Sequence, residues 1–242
     1  MSQRGTLFVS DLHLDPAWPR ITQRFLDVLS RQAREADALY VLGDLFEAWV
    51  GDDDLSDHNL SVIHALKSLS DSGIPVTMMH GNRDFLLGDA FAELTGCQIE
   101  STPLPINLHG EKTLLMHGDE LCLGDESYIH FRQQVRSPDW QAEFLAKPLA
   151  ERKAIAQGLR EQSESDKRVK SDDLMDVTPA EVVRLFETKG VNRIIHGHTH
   201  RPADHEVLTR FGTGLRHVLS DWSEDAGELF WVSPDGVERE TV

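Results

Sequence analysis

Near its start the chain reads TLFVSDLH, residues Thr6–His13, in which an apolar run passes directly into a carboxylate and an imidazole. Several apolar and β-branched residues in succession are typical of a strand that is buried on both faces of its sheet. At the end of this strand, Asp11 and His13 place two metal-binding side-chain types close together. A short apolar run followed by polar residues recurs along the chain, and this repeated order decides the predicted fold.

Six further apolar runs, each bounded by turn-forming residues, predict additional strands. Helical periodicity lies between the first few, with apolar residues on one face of Thr22–Glu35 and of Asn59–Ser72. Strands that alternate with helices indicate a buried α/β sheet, and the short separation of the last two strands favours a mixed sheet or a two-sheet sandwich. The six runs are Ala38–Leu42, Ile74–His80, Thr113–Met116, Val191–Ile195, Arg216–Leu219 and Leu229–Val232.

Five of the predicted strands end in polar clusters. In open α/β sheets, ligands bind beyond the carboxyl ends of the strands, so residues that are distant in sequence converge there. We therefore expect one shared site. The clusters are Asp11-Leu12-His13, Gly43-Asp44, Gly81-Asn82-Arg83-Asp84, His117-Gly118-Asp119 and Gly197-His198-Thr199-His200.

The side chains in these clusters fit divalent metal ions. Carboxylate, amide and imidazole groups together suit divalent ions such as Mn²⁺, Fe²⁺ or Zn²⁺. Seven ligands exceed what one ion with an open position uses, whereas two ions about 3.5–4 Å apart, bridged by a carboxylate, use them all. Asp44 is the expected bridge. The predicted ligands are Asp11, His13, Asp44, Asn82, His117, His198 and His200.

Each cluster alone also has an ordinary structural interpretation. An Asp-x-His triplet occurs by chance, Gly-Asp is a common turn, and the His-Gly-His-Thr-His segment could be a solvated loop. Taken together, these interpretations require every cluster to follow a strand by accident, and the two-metal interpretation is therefore favoured.

Composition limits the possible functions. The 242 residues carry a formal net charge of -17, with 24 Lys and Arg against 41 Asp and Glu. This balance disfavours nucleic acid as a partner. Cys97 and Cys122 lack metal-binding spacing and suit two reduced thiols. The first apolar run is too short for a signal peptide, and no apolar run approaches about 18 residues, so we expect a cytoplasmic protein without a membrane span.

The segment from about 125 to 189 breaks the alternation of strands and helices and predicts a helical insertion in a single domain that covers residues 1–242. Prolines divide it, and Thr178-Pro179 is typical of a helix start. Its residues leave two interpretations open: an ordinary packed cap, or an apolar chamber beneath anion-binding cations. The apolar residues are Phe144, Leu145, Leu149, Ile155 and Leu159, and the basic ones are Lys147, Arg152, Lys153, Arg160, Lys167, Arg168 and Lys170.

The order DxH, GD, GN, HG and GHxH resembles the calcineurin-like metallophosphoesterase family, over most of residues 11–200. The resemblance implies two packed mixed β-sheets flanked by helices, with two ions at the strand ends. It assigns one ion to Asp11, His13, Asp44 and His200, and the other to Asp44, Asn82, His117 and His198. It also implies a catalytic group made of Asp44, Asn82, Arg83 and His117.

Arg83 departs from the family pattern, in which histidine usually follows the GN asparagine and often protonates the leaving group. Arginine stays protonated, so that role is excluded here. Its planar donors suit phosphate oxygens, which favours a leaving group that departs without a proton, such as a nucleoside phosphate.

The GNRD variant and the helical insertion look most like one subgroup of the family, which hydrolyses the diphosphate of an acylated UDP-sugar in lipid A biosynthesis. That resemblance implies a nucleotide-sugar lipid substrate and a monomer bound peripherally to the anionic cytoplasmic face of the inner membrane. Lys167 stands where asparagine is usual, which leaves its role the least defined. The implied substrate contacts are Asn82, Arg83, Asp125, Ser163, Lys167, Lys170 and His198.

Three alternatives remain at this point. One is a phosphodiesterase or phosphatase of the same fold that acts on soluble substrates, which the apolar faces of the insertion and Arg83 disfavour. The second is a non-catalytic metal-binding scaffold, which would be expected to have lost ligands. The third is a nuclease, which the charge balance disfavours.

Overall fold

The computed structural model describes residues 4–167 and 176–242, although within that range the side chains of residues 162 and 164–167 are not described. Two β-sheets form its centre. The first contains β1 (Thr6–Val9), β2 (Ala38–Val41), β3 (Val76–Met79), β4 (Gln98–Glu100), β10 (Glu228–Ser233) and β11 (Gly236–Thr241). The second contains β5 (Leu104–Leu108), β6 (Glu111–Leu115), β7 (Arg193–His196), β8 (Ala203–Thr209) and β9 (Gly212–Val218).

Both sheets are mixed, as predicted. The strand order is β11-β10-β1-β2-β3-β4 in the first sheet and β5-β6-β7-β9-β8 in the second. Strands β1 to β4 run parallel to one another, and so do β6, β7 and β9, while β10, β11, β5 and β8 pair antiparallel with their neighbours. The carboxyl ends of the parallel strands provide the edge at which the sequence predicts a site.

The two sheets pack face to face because their central strands are apolar on both faces. In β1, Phe8 points into the layer between the sheets, where it meets Leu115, Ile195 and Phe230. The neighbouring Leu7 and Val9 point the other way, into the layer beneath the helices. Alternation between two buried layers explains why the strand reads as an unbroken apolar run.

Helices cover the outer faces of the sheets. On the first sheet lie α1 (Pro19–Ser30), α2 (Asp57–Asp71) and α3 (Asp89–Thr95). The helix predicted at Thr22–Glu35 begins earlier, with Pro19 in its first turn, and ends at Ser30, after which Gln32–Glu35 is a 3₁₀ turn. Proline suits a first turn because its missing N–H would be unpaired there in any case.

The segment predicted as an insertion contains α4 (Glu126–Val135), α5 (Pro138–Leu145), α6 (Leu149–Lys167) and α7 (Pro179–Lys189). Apolar residues of α5 and α6, including Phe144, Leu149 and Ile155, join the apolar cluster of the first sheet. Helix α7 instead packs its residues Val182, Leu185 and Phe186 on the second sheet. We call α4, α5 and α6 the cap.

Four described strands, β4, β5, β8 and β11, were not predicted, and each is the outermost strand of its sheet. All seven predicted strands are the inner ones. None of the helices within residues 4–167 and 176–242 is both long and apolar enough to cross a bilayer.

Candidate metal centre and active site

The predicted ligands adopt an unusual backbone conformation. Among the described residues, six non-glycine residues have positive φ, and five of these are predicted ligands. Side chains rarely occupy this region because it strains the backbone, and such strain is concentrated at functional sites. The five, with their φ angles, are Asp11 (54°), His13 (50°), Asp44 (52°), His198 (68°) and His200 (54°).

Backbone hydrogen bonds hold the loops that follow neighbouring strands against one another. The N–H of Asp11 donates to the carbonyl of Gly43 at 3.1 Å, and the N–H of His13 donates to the carbonyl of Asp44 at 3.0 Å. Glycine is required where the loops touch, because a Cβ at Gly81 would collide with the Asp44 carboxylate. The loops therefore bring the ligand side chains together.

One group of potential ligand atoms belongs to Asp11, His13 and His200, all within 4.8 Å of one another. The Nε2 atoms of His13 and His200 lie 3.4 Å apart. The Oδ1 atom of Asp11 lies 3.4 Å from Nε2 of His200 and 3.9 Å from Nε2 of His13.

A second group contains Asp11, Asp44 and His117, again within 4.8 Å. Nε2 of His117 lies 3.0 Å from Oδ1 of Asn82. Oδ2 of Asp44 lies 3.7 Å from Nε2 of His117 and 3.9 Å from Nε2 of His13, so it faces one histidine of each group. This is the position that a bridging carboxylate would take, although Asp11 also has an oxygen within reach of both groups.

One potential ligand atom has no hydrogen-bond partner in the described part of the chain, and another faces an acceptor. Oδ1 of Asp11 is buried and makes no hydrogen bond. Nδ1 of His117 lies 2.9 Å from the carbonyl of Leu42, which can only accept, so in its neutral form, the form that binds a metal, His117 turns the lone pair of Nε2 toward Asn82. Lone pairs that face each other in a buried cluster of carboxylate, amide and imidazole groups fit divalent metal ions.

The carboxylates and imidazoles of the cluster shift one another's pKa values. Burial alone would raise the pKa of Asp11, but the contacts with His200 and the charge of His117 hold it well below its usual range. Burial raises the pKa of Asp44. Burial and the neighbouring His117 lower the pKa of His198 to about 3, whereas the carboxylates of Asp11 and Asp221 outweigh burial and raise that of His200 to about 10.

Three carboxylates that support the site were not among the predicted site residues. Asp84 is fully buried and accepts the backbone N–H groups of Asp44, Leu45 and Gly81 at 2.7–3.2 Å. Glu47 lies 2.8 Å from Nδ1 of His13, and Asp221 lies 3.3 Å from Nδ1 of His200. Asp84 stands next to Arg83 in the motif, whereas no sequence pattern singles out Glu47 or Asp221.

The cap is attached to the loop that follows β6. The buried carboxylate of Asp119 accepts hydrogen bonds from Nε of Arg132 at 2.6 Å and from the hydroxyl of Tyr128 at 3.1 Å, both on α4. The ring of Tyr128 stacks on His198, with centroids 6.1 Å apart. Asp119 thereby connects the cap with the region of His117.

A cavity of about 650 Å³ connects the metal cluster with the cap. Predicted ligands line part of it, including His13, Asp44, Asn82, His198 and His200. Aromatic and apolar side chains line another part, among them Trp49, Phe85, Phe131, Trp140, Phe144 and Leu159. A concave, largely apolar site with a polar end is the usual form of a small-molecule site.

The structure places most of the predicted substrate contacts on this cavity. Asn82, Arg83, Asp125, Ser163 and His198 all line it. The backbone N–H of Arg83 donates to Oδ1 of Asp44 at 2.8 Å, while its side chain is 12% exposed. Lys170 and the side chain of Lys167 lie outside the described part of the chain.

The apolar residues predicted on the cap divide into two groups. Leu149 and Ile155 pack against the core of the first sheet, whereas Leu159 lines the cavity and is 39% exposed. Leu145 is 42% exposed but is not part of the cavity wall. Spacing at i, i+4 identifies an apolar face but not what that face contacts.

Comparison with known proteins identifies relatives across almost the whole chain. The family described as calcineurin-like phosphoesterase matches residues 6–202. The chain is 50% identical to a UDP-2,3-diacylglucosamine hydrolase of Cellvibrio japonicus, covering 90% of this chain and 91% of that protein. It is 49% identical to one of Chromohalobacter salexigens, covering 97% and 95%, and 50% identical to one of Xanthomonas oryzae, covering 97% and 98%.

Solved structures show a more distant likeness. An archaeal phosphodiesterase aligns over 98% of this chain and 99% of that chain, with a TM-score of 0.49 and 10% identity. The protein TT1561 of Thermus thermophilus aligns over 97% of each chain, with a TM-score of 0.47 and 14% identity.

Proposed function

The chain belongs to the calcineurin-like phosphoesterase family, and from that premise we propose that it hydrolyses the diphosphate bond of UDP-2,3-diacylglucosamine, releasing UMP and 2,3-diacylglucosamine 1-phosphate. The observation that carries the proposal is the cavity that joins the metal cluster to an aromatic and apolar pocket. The relatives named above supply the identity of the substrate, since they are about half identical over nearly their full length.

Two divalent ions, with Mn²⁺ as the expected metal, are held by Asp11, His13, Asp44, Asn82, His117, His198 and His200. Ions bound in this way supply a water-derived nucleophile near neutral pH and offset charge on the phosphoryl oxygens. The intact ligand set argues against a non-catalytic scaffold, which has no need to retain seven converging ligands. Asp44, whose Oδ2 faces a histidine of each group, would be the ligand that the two ions share.

The remaining residues of the cavity bind and orient the substrate. Arg83 donates to phosphate oxygens and stabilises the charge that develops there, because its guanidinium remains protonated. Asn82 contacts the substrate from the metal side, while Asp125 and Ser163 contact the sugar and phosphate region from the cap. Lys167 and Lys170 add positive charge, a role that rests on the family resemblance.

The acyl chains occupy the aromatic end of the cavity. Trp140 stacks on Phe144 with centroids 4.8 Å apart, and Phe85 lies 6.2 Å from Trp140, so this wall is built from packed rings. Each methylene group buried there contributes about 0.8 kcal/mol. The pocket therefore favours a lipid over a soluble nucleotide sugar.

The proposal also covers the oligomeric state and the membrane association of the protein. We expect a monomer that binds peripherally to the anionic cytoplasmic face of the inner membrane through basic residues of the cap, each contributing about 1 kcal/mol near the surface. Lys147 and Lys153 are partly exposed cap cations. The net charge of -17 argues against binding to nucleic acid.

The direct test is to incubate the purified protein with UDP-2,3-diacylglucosamine, with Mn²⁺ or after chelation, and to measure released UMP. We expect metal-dependent release of UMP. Two comparison substrates, deacylated UDP-glucosamine and bis-p-nitrophenyl phosphate, separate the alternatives. Equal kcat/KM values on all three would assign a soluble-substrate phosphodiesterase, and no turnover of any substrate by Mn²⁺-bound protein would assign a scaffold.

A further inference from the structure

Glu47 lines the cavity and contacts both the metal cluster and the cap. It follows Phe46, which forms an isolated parallel bridge with Leu14, and its own N–H donates to the carbonyl of Leu14 at 3.1 Å. This backbone pairing places Glu47 beside the loop that carries His13. Its side chain is only 12% exposed, so its charge is largely removed from water.

One carboxylate oxygen of Glu47 contacts a predicted metal ligand. Oε2 lies 2.8 Å from Nδ1 of His13, the ring nitrogen that does not face the metal cluster, at ion-pair distance but outside the alignment of a regular hydrogen bond. Nε2 faces the carboxylates of Asp11 and Asp44 at 3.9 Å each. A carboxylate at Nδ1 holds the proton on that nitrogen and leaves the Nε2 lone pair directed at the ion, which typically improves metal affinity by about 10–100-fold.

The other carboxylate oxygen contacts two arginines. Oε1 lies 3.8 Å from Nη1 of Arg83, which lines the cavity next to the metal cluster. It also lies 3.1 Å from Nε of Arg160 on α6 of the cap. The two oxygens of this side chain therefore have different partners. One contacts the predicted metal ligand His13, and the other contacts Arg83 in the cavity wall and Arg160 of the cap.

We propose that Glu47 is a positioning residue that sets the ring of His13 for the metal through Oε2 and the guanidinium of Arg83 for the phosphate through Oε1, with Arg160 tying both to the cap. The proposal deepens the function proposed above, because it assigns the orientation of two groups of that site to one side chain. A carboxylate that served only to attach the cap would affect neither the metal affinity nor the position of the Arg83 guanidinium.

Asp15 provides a matched control for this distinction. Its Oδ2 atom lies 3.0 Å from Nη1 of Arg160, the same cap arginine that Glu47 contacts. No contact between Asp15 and His13 or Arg83 is found among the described ion pairs and hydrogen bonds. Asp15→Asn therefore weakens the attachment of the cap while leaving the proposed positioning intact.

The experiment measures Mn²⁺ affinity by calorimetry and electron paramagnetic resonance without substrate, for wild type, Glu47→Ala, Glu47→Gln and Asp15→Asn. We expect Glu47→Ala to weaken binding of one of the two ions by about 10–100-fold. Glu47→Gln should bind Mn²⁺ within about threefold of wild type, since its amide oxygen still accepts from Nδ1 of His13. Asp15→Asn should bind Mn²⁺ as wild type does.

Turnover at saturating Mn²⁺ is then measured on the acylated UDP-sugar and on bis-p-nitrophenyl phosphate. Glu47→Gln should lower kcat on the order of tenfold on both substrates, because an amide cannot hold the guanidinium of Arg83 by charge and a displaced group loses rate. Asp15→Asn should keep the wild-type kcat. Since Mn²⁺ binding and phosphodiester hydrolysis do not involve the lipid, failure of the lipid assignment would leave both measurements interpretable.

Wild-type Mn²⁺ affinity in Glu47→Ala would overturn the role at His13, and unchanged kcat in Glu47→Gln would overturn the role at Arg83. Equal losses in Asp15→Asn would assign the effects to cap attachment instead. Thermal unfolding of each variant identifies loss of fold. If the Ala variant unfolds, Glu47→Gln still tests the role at Arg83, and Glu47→Met, which keeps the length of the side chain but not its carboxylate, tests the role at His13 by the same loss of Mn²⁺ affinity.

Discussion

The loops that carry the seven predicted metal ligands, which we call the metal face, and the cap are built in different ways. At the metal face, ligands follow the ends of inner strands, five of them at positive φ, and backbone hydrogen bonds between adjacent loops hold them. The cap is attached by side chains, such as Arg132 to Asp119 and Arg160 to Asp15 and Glu47. A backbone-built site tolerates little variation in geometry, whereas side-chain contacts can change with the substrate. We infer that the metal face supplies the chemistry and the cap the selectivity.

The largest effect is expected at the metal face from Asp44→Ala. Its carboxylate faces a histidine of each group, so its loss should weaken the binding of both ions and lower kcat by at least about a thousandfold. Elemental analysis of the purified variant gives the metal content. Asp27→Ala, at an exposed position on α1, is the control. Two ions retained at wild-type affinity in Asp44→Ala would refute the bridging role.

A smaller loss of activity is expected from Arg83→Ala, where the metal face contacts the substrate. Arg83→Ala removes charge-assisted contacts worth roughly 1.5–3 kcal/mol, or about ten- to a hundredfold in kcat/KM. Because arginine side chains in proteins keep their charge, the alkaline limb of the pH–rate profile should persist in the variant. Arg83→Lys, which keeps the charge, should recover part of the rate. Disappearance of the alkaline limb in Arg83→Ala would show that Arg83 controls a titrating group.

In the cap, Leu159→Asp should reduce the selectivity for the acylated substrate and leave the rate of the chemical step almost unchanged. Leu159 lines the cavity, so a carboxylate there should lower kcat/KM for the acylated substrate by about tenfold, with little change on bis-p-nitrophenyl phosphate. Leu145→Asp is a matched control, since Leu145 is similarly exposed but does not line the cavity. If both variants lose the same activity on all substrates, the cap supports the fold and does not select the lipid.

The smallest effect on turnover is expected where the two regions join, from Asp119→Asn, whose main effect is on the stability of the fold. Burial alone would raise the pKa of Asp119, but the charges of His117 and Arg136 lower it well below its usual range. A carboxyl group with a lowered folded-state pKa stabilises the fold above its unfolded pKa of about 3.9, and this contribution disappears as the pH falls through the folded value. The variant should therefore lose about 1.5–3 kcal/mol of unfolding free energy at neutral pH.

Urea unfolding of metal-free wild type and Asp119→Asn at several pH values measures this difference. The difference in unfolding free energy between wild type and variant should be largest near neutral pH and should decrease continuously in acid. Glu120→Gln is the control, because Glu120 pairs with the same Arg132 from a more exposed position. If the difference in unfolding free energy does not depend on pH, Asp119 stabilises the fold through its shape and not through its charge.

The sequence predicts the inner strands of both sheets and misses the outer ones. Inner strands such as β1 are buried on both faces and read as apolar runs, whereas outer strands such as β8 and β11 are largely exposed and carry polar residues. Edge strands commonly carry charge, which prevents pairing with other molecules. Periodicity in hydrophobicity therefore cannot distinguish them from loops.

At the site, the sequence predicts the ligand cluster because its members lie just beyond the ends of strands. It does not predict Glu47 and Asp221, whose positions depend on how separate loops pack and not on any local pattern. The sequence groups Leu149 with Leu159 among the apolar residues that form either a packed cap or a chamber, and the structure separates the two. Leu149 packs into the core, and Leu159, ten residues further along α6, lines the cavity instead.

The most direct test of the division between metal face and cap is the selectivity of the wild-type protein. The measurement is kcat/KM with Mn²⁺ for UDP-2,3-diacylglucosamine and for deacylated UDP-glucosamine in the same detergent. Because buried methylene groups contribute about 0.8 kcal/mol each, we expect a preference of at least about a hundredfold for the acylated substrate. Equal values would contradict the assignment of selectivity to the cap.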